Sequence, residues 1–230
     1  MDMRTSGNGP SVSPARQRLL DTATRLFYAE GIHSVGIDRL IAEAGVAKAT
    51  FYNHFPSKDD LVLAYIEDQD RIGREAVAAL PDLPPRDMIA AVMARISKAV
   101  VAGDWRGCPF LNAAAEYPDP DSPVRQAIGS RRQWYHGVLR DLLAADGDPA
   151  PALTASVLVA VSDGLLESAY LDGDPEAIGA VIQAALRDDF APFEELVTVL
   201  SKPYDDQPQY AAYMDPPQDD ERVTQTFCGT

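Results

Sequence analysis

The sequence predicts an all-α protein, a small tri-helical head followed by a larger helical body. Three observations carry this. Apolar residues recur at three- and four-residue spacing through most of the chain, no segment alternates apolar and polar residues between hairpin turns, and glycine or proline punctuates the periodic stretches. The 230 residues are 46% hydrophobic and 24% charged, ordinary usage for a chain that buries a core.

Residues 1–13 are rich in Ser, Gly, Pro and Asn without periodicity and are expected to form a disordered arm. From Ala15 to Glu30, Leu19, Ala23, Leu26 and Phe27 share one helical face, with Ser13-Pro14 as N-cap and first-turn proline and Gly31 as the stop. Two short helices are predicted next, Ile37 to Ala44 and Ala47 to His54, separated by a turn at Gly45 that needs positive φ. Ser57 with Asp60 forms a capping-box pattern before a helix carrying Leu61, Tyr65, Ile72, Ala76 and Leu80, which ends at Pro81. Further helices are expected over about Asp87 to Val101, Ser122 to Ala145, Pro151 to Leu171 and Pro175 to Leu200. Residues 201–230 hold four prolines and few aliphatics, and are expected to be an extended tail.

The net charge of −15 is unevenly placed. Residues 1–60 balance seven Lys/Arg against seven acids, so the other 170 residues carry the whole excess. A neutral head on an acidic body means that only the head can approach a phosphate backbone without large repulsion. The first fourteen residues are polar, unlike a signal peptide, and no window approaches 18 uncharged apolar residues, so a soluble cytoplasmic protein with no membrane contact is expected. Cys108 and Cys228 cannot build a disulfide framework, and His33, His54 and His136 show no ligand spacing, so neither a metal nor another cofactor is expected.

The order of a packing helix, a short second helix, a glycine turn and a third helix with small and polar residues at its start is that of a helix-turn-helix. The stretch GIHSVGIDRLIAEAGVAKATFYNHFPSKDDLVLAYI resembles the DNA-binding signature of the TetR family of transcriptional repressors, with more than a dozen positions in register over about residues 14–74. A recognition helix that enters the major groove N-terminus first would present Lys48, Ala49 and Thr50 to base edges, while Tyr52, Asn53 and His54 lie one turn further along, where flanking phosphates are reached. The resemblance implies further phosphate contacts at Lys58 and at the second helix N-terminus near Gly36. Many relatives carry Thr or Ser at that position, so here the amide alone would serve, with Arg39 as a compensating cation. Ile37, Leu40, Ile41, Val46, Phe51 and Phe55 are assigned to the head's own core.

For residues 75–200 the resemblance implies a domain that forms a homodimer and holds a small-molecule inducer, its identity unknown, that releases the protein from a palindromic double-stranded operator. Candidate dimer seams are Val157, Val161, Leu165 and Ala169, then Ile178, Val181, Ile182 and Leu186. The segment GCPF-x-NAAAEYPDP resembles one branch of these regulators. Candidate ligand-binding residues, where aromatic and polar groups concentrate, are Trp105, Cys108, Phe110, Asn112, Glu116, Trp134, Tyr135, Asp163, Glu167 and Tyr170. Cys108 is expected to be a buried, inert thiol, for want of a cation placed to lower its pKa beyond nearby Arg106.

The tail, ending FCGT, resembles the extreme C-terminus of selenoprotein-O-type protein adenylyltransferases. No nucleotide-binding glycine loop, Ser-His-Asp set or metal cluster accompanies it, so an enzyme is not expected. The alternatives to a ligand-responsive repressor are a helical DNA- or partner-binding protein without an inducer and, from the tail, an adenylylation-related protein.

Overall fold

The computed structural model describes residues 13–101 and 106–172, all within one compact unit that spans residues 1–182. The described residues form eight helices and no strand: α1 (Pro14–Glu30), α2 (Ile37–Ala44), α3 (Lys48–His54), α4 (Lys58–Ala78), α5 (Pro85–Val101), α6 (Pro109–Glu116), α7 (Pro123–Asp146) and α8 (Pro151–Asp172). The expected all-α architecture is therefore present. Trp105, the helix expected over 175–200, and the tail with Cys228 lie outside the described residues, as does the arm up to residue 12.

Helices α1, α2 and α3 close on one apolar cluster. Leu19, Leu26, Leu40 and Phe51 are essentially solvent-free at its centre, and each such side chain contributes about 1.5–3 kcal/mol by leaving water. Phe55 is buried as expected, and Ile37, Ile41 and Val46 pack partly buried against the same cluster. Gly45 ends α2 at φ 62°, the left-handed value that the turn requires, and its N–H returns to the Ala42 and Ile41 carbonyls. The Ser57 hydroxyl accepts from the Asp60 amide and the Asp60 carboxylate accepts from the Ser57 amide, the reciprocal cap predicted for α4. Ser13 differs from expectation. Its hydroxyl does not cap α1; it lies 3.3 Å from His54 Nε2 and ties the start of α1 to the end of α3.

The head's cluster continues through Leu61, Val62, Tyr65 and Ile66 of α4 into Ala113 of α6 and Val124 and Ile128 of α7. A separate buried set, Ile89, Val92 and Met93 of α5 with Leu139 and Leu143 of α7 and Leu158 of α8, holds the body together. Helix α6 was not anticipated as an element. At eight residues it is too short to show a full amphipathic period, and its start depends on Pro109 at the first helical position. The stretch Pro151–Leu171 has the length and mean hydropathy, 1.4, to cross a membrane by composition alone, although no uncharged run was anticipated. Ala155, Leu158 and Ser162 of that helix are buried and its Asp163 is paired with Arg132 of α7, so one face of it packs on the body.

Candidate functional site

On α3, Phe51 turns fully inward while Lys48, Ala49, Tyr52 and Asn53 point to solvent and Thr50 is half-buried. One buried aromatic thus orients a seven-residue helix whose other side stays free. Tyr52 stands edge-on to Phe51 with ring centroids 5.2 Å apart, which restricts the phenol without covering it. Lys48 Nζ lies 3.4 Å from Asp38 Oδ1, a weak exposed pair that screening water or a phosphate replaces at little cost. Gly36 is the exposed N-cap of α2. A Cβ added there would meet nothing within 4 Å, so the backbone does not demand glycine at that position.

Three of the expected phosphate partners are engaged within the chain. Arg39 donates to Glu30 and Glu43, whose hydrogen bonds hold its guanidinium well above its ordinary value. The Lys58 ammonium lies 6.0 Å above the Phe27 ring, and its burial lowers its pKa. His54 shares a hydrogen bond with Ser13. Of the three, Arg39 is the most committed, because two carboxylates already balance one guanidinium.

The body's candidate residues divide into three groups. Phe110, Trp134 and Tyr135 surround Arg131, with ring centroids 5.5, 4.5 and 5.6 Å from its guanidinium carbon. Cys108, Asp163 and Glu167 form a second group: burial pushes the Cys108 thiol up, and the two carboxylates add to that, which agrees with an inert thiol. Asn112 braces this region by donating to the Arg106 carbonyl at 2.7 Å. Glu167 packs on Gly107, where a Cβ would lie 3.1 Å from its Oε1.

The third group is Glu116, placed away from the first two. Its Oε1 accepts from the Ile32 amide at 2.8 Å and its Oε2 from the His33 amide at 2.6 Å, so the last residue of α6 clamps the turn between α1 and α2. Both oxygens of this expected ligand residue hold backbone amides of the head. Beside it Tyr117 donates to Asp59 Oδ1 at 2.7 Å and stacks on His33. Tyr170, half of whose surface faces solvent, joins none of the groups.

Comparison with known proteins agrees with this geometry. The profile of bacterial regulatory proteins of the tetR family matches residues 19–65, and that of the tetracyclin repressor-like C-terminal domain matches residues 85–185. A TetR-family transcriptional regulator from Streptomyces coelicolor is 42% identical in its solved structure, with a TM-score of 0.72 over 82% of this chain and 96% of that one. The chain belongs to the TetR family of transcriptional regulators. A second TetR-type regulator, from Streptomyces avermitilis, is 26% identical with a TM-score of 0.65, covering 82% of this chain and 98% of its own. Curated protein nucleotidyltransferases also match: that of Bradyrhizobium diazoefficiens is 45% identical over 130 residues, 56% of this chain and 23% of the relative. The chain thus spans under a quarter of the length of these curated relatives.

In this TetR-family chain, sequence reasoning missed Arg131, Arg74 and Asp70, which sit among the expected aromatics. The signal was obscured because Arg131, next to Arg132 on α7, looks like one of a pair of surface charges; only Arg132 behaves so, with half of its side chain exposed against 18% for Arg131. Tyr28 was missed as well. Its hydroxyl accepts from the Arg106 amide at 2.8 Å and donates to the Gly107 carbonyl at 3.0 Å, joining α1 to the segment that leads into α6.

Proposed function

We propose that this DNA-binding regulator is a ligand-responsive repressor, a homodimer released from a palindromic operator by a small molecule held in its body. The observation that carries the reading is the position of α6. Its N-cap Cys108 and its Phe110 belong to the first two groups of body residues, and its last residue, Glu116, is hydrogen-bonded to the turn that feeds α2. A displacement at one end is transmitted over eight residues of rigid helix to the other.

Lys48, Ala49 and Thr50 would meet base edges, with Tyr52, Asn53, His54, Lys58 and the Gly36 amide on flanking phosphates. For His54 and Lys58 this requires local exchange: His54 leaves Ser13, and Lys58 swings out from the Phe27 face. The inducer must bind the spread form of the dimer better than the operator-bound form, since a ligand shifts an equilibrium only by its differential affinity. Within α8, Ala160, Gly164 and Ser168 are exposed and small, which would suit a close helix contact across a two-fold axis.

The test is a mobility shift on the DNA flanking this protein's gene, with excess random competitor, for the wild type and for Tyr52→Ala/His54→Ala. A specific shift that the double variant loses supports the reading. Protection of all DNA alike, falling steeply with salt, would replace it with a helical DNA-binding protein that has no operator.

A further inference from the structure

Resting on the ligand-responsive reading above, we propose that the effector is an organic anion, an apolar carboxylate bound by Arg131 against Phe110, Trp134 and Tyr135, and that it displaces Asp70 of α4 from that guanidinium. The argument begins with an imbalance of hydrogen bonds. Arg131 carries five N–H donors on a mostly buried side chain, yet its Nη1 has no hydrogen-bond partner. Asp70 Oδ1 lies 3.5 Å from that atom and is itself without a hydrogen bond. The two charges are neighbours without being bonded. Meanwhile Asp70 Oδ2 accepts from Arg74 Nε at 2.8 Å, and Arg74 stacks on the same Trp134 ring at 4.7 Å.

Two guanidiniums therefore share one carboxylate at a half-buried aromatic junction, which leaves it with a positive surplus. Two further acids of α4 and α8 are engaged elsewhere: Asp68 accepts from Arg71, and Asp163 from Arg132. Burial pulls the Arg131 pKa down, the mark of a cation whose lost hydration is not fully replaced. A carboxylate restores it best, because its two oxygens match the guanidinium fork. The three rings each keep part of their surface open, so they offer faces to an apolar or aromatic portion of the same molecule.

The exchange has a built-in path to the head. Gly73 lets Arg131 rest directly on α4, since a Cβ there would stand 3.1 Å from Nη2, and Asp70 lies on the same helix three residues earlier. Once the ligand holds Arg131, Asp70 keeps Arg74 as partner, so α4 loses its charged tie to α7 without stranding a buried carboxylate. Glu167 Oε1, also buried and unpartnered beside Gly107, would favour a cationic ligand instead. That is the competing outcome.

The full-length protein is titrated by calorimetry with 2-naphthoate, 2-naphthamide and 2-naphthylmethylamine, and each is tested for operator release. Naphthoate is expected to bind at least about tenfold more tightly than the amide, the scale of one charge-assisted bidentate contact. Arg131→Gln abolishes that preference. Asp70→Asn, which keeps the guanidinium and removes its competitor, tightens naphthoate binding by about fivefold. Naphthoate binding no tighter than the amide, tighter binding of the amine, or an affinity indifferent to both substitutions overturns the proposal. Operator release by the amine or amide would sink the anion while sparing the ligand-responsive reading. Arg131-dependent naphthoate binding without release would keep the site and sink that reading.

Discussion

In the tri-helical head the buried positions are apolar apart from Thr22, and the polar side chains lie at the surface in pairs such as Arg25 with Glu43 and Arg39 with Glu30. In the body, with the half of α4 that packs on it, the described residues include four buried polar atoms without a hydrogen-bond partner: Asp70 Oδ1, Arg125 Nε, Arg131 Nη1 and Glu167 Oε1. Two of them, Asp70 Oδ1 and Arg131 Nη1, face each other as an ion pair at 3.5 Å, and a buried polar atom with no partner costs about 1–3 kcal/mol. The contrast teaches what each region is shaped to do. The head of this DNA-binding regulator holds one geometry, whereas the polar capacity left open in the body is what the ligand-responsive reading proposed above would use.

The sharpest way to break the comparison is to remove the head's anchor. Phe51→Ala should cost about 3–5 kcal/mol and lower the denaturant midpoint of the head, while tertiary signals of Trp134 in the body persist longer along the same titration. Simultaneous loss of both signals would show that the two regions unfold as one. Next in size are the base contacts: Lys48→Ala or Thr50→Ala should weaken operator binding by about 1–3 kcal/mol and random DNA by less, which paired mobility shifts measure directly. Equal losses on both DNAs would remove these residues from base readout.

The link between the regions comes third. Glu116→Ala strands the Ile32 and His33 amides and should cost about 1–3 kcal/mol in chemical denaturation, with a larger loss of ligand response than of operator affinity in the free protein. An unchanged response would move the coupling elsewhere, to Tyr117 and Asp59 or to α4. A smaller effect is expected with pH. A hydrogen bond from Arg39 holds Glu30 below its ordinary 4.5, and bonds from Arg25 and then Arg39 do the same for Glu43. Depressed carboxylates stabilise the fold above that value and lose the contribution as pH falls through their folded-state pKa, so Arg39→Ala should lower stability modestly at neutral pH, leave the strongly acid limit nearly unchanged, and so flatten the acid side of the stability profile. The smallest effect is a gain: Gly36→Ser fits open space at the α2 N-cap and should add a few tenths of a kcal/mol in thermal melting.

Much of the head was legible because its information is local. Helical period, the Gly45 turn and the Ser57–Asp60 cap depend on residues within four positions of one another, so sequence order alone specifies them. The side of α3 left open also followed, since Phe51 on the inner face determines that Tyr52 and Lys48 face out. The failures share a cause. Ser13 was expected to cap its own helix and instead meets His54, forty-one residues away. The hold of Glu116 on amides more than eighty residues earlier was likewise not legible.

The sequence by itself determined the helical class, the family signature, the division of charge and the outward set on α3, all of which depend on periodicity or composition. Only the tertiary structure decided which of two adjacent arginines is buried, which acids remain free to pair, and that a short helix spans from the body's polar groups to the head's first turn. Those outcomes are settled by distances between helices, and hydrophobic pattern constrains which face of a helix is covered without saying which polar group on the neighbouring helix will meet it.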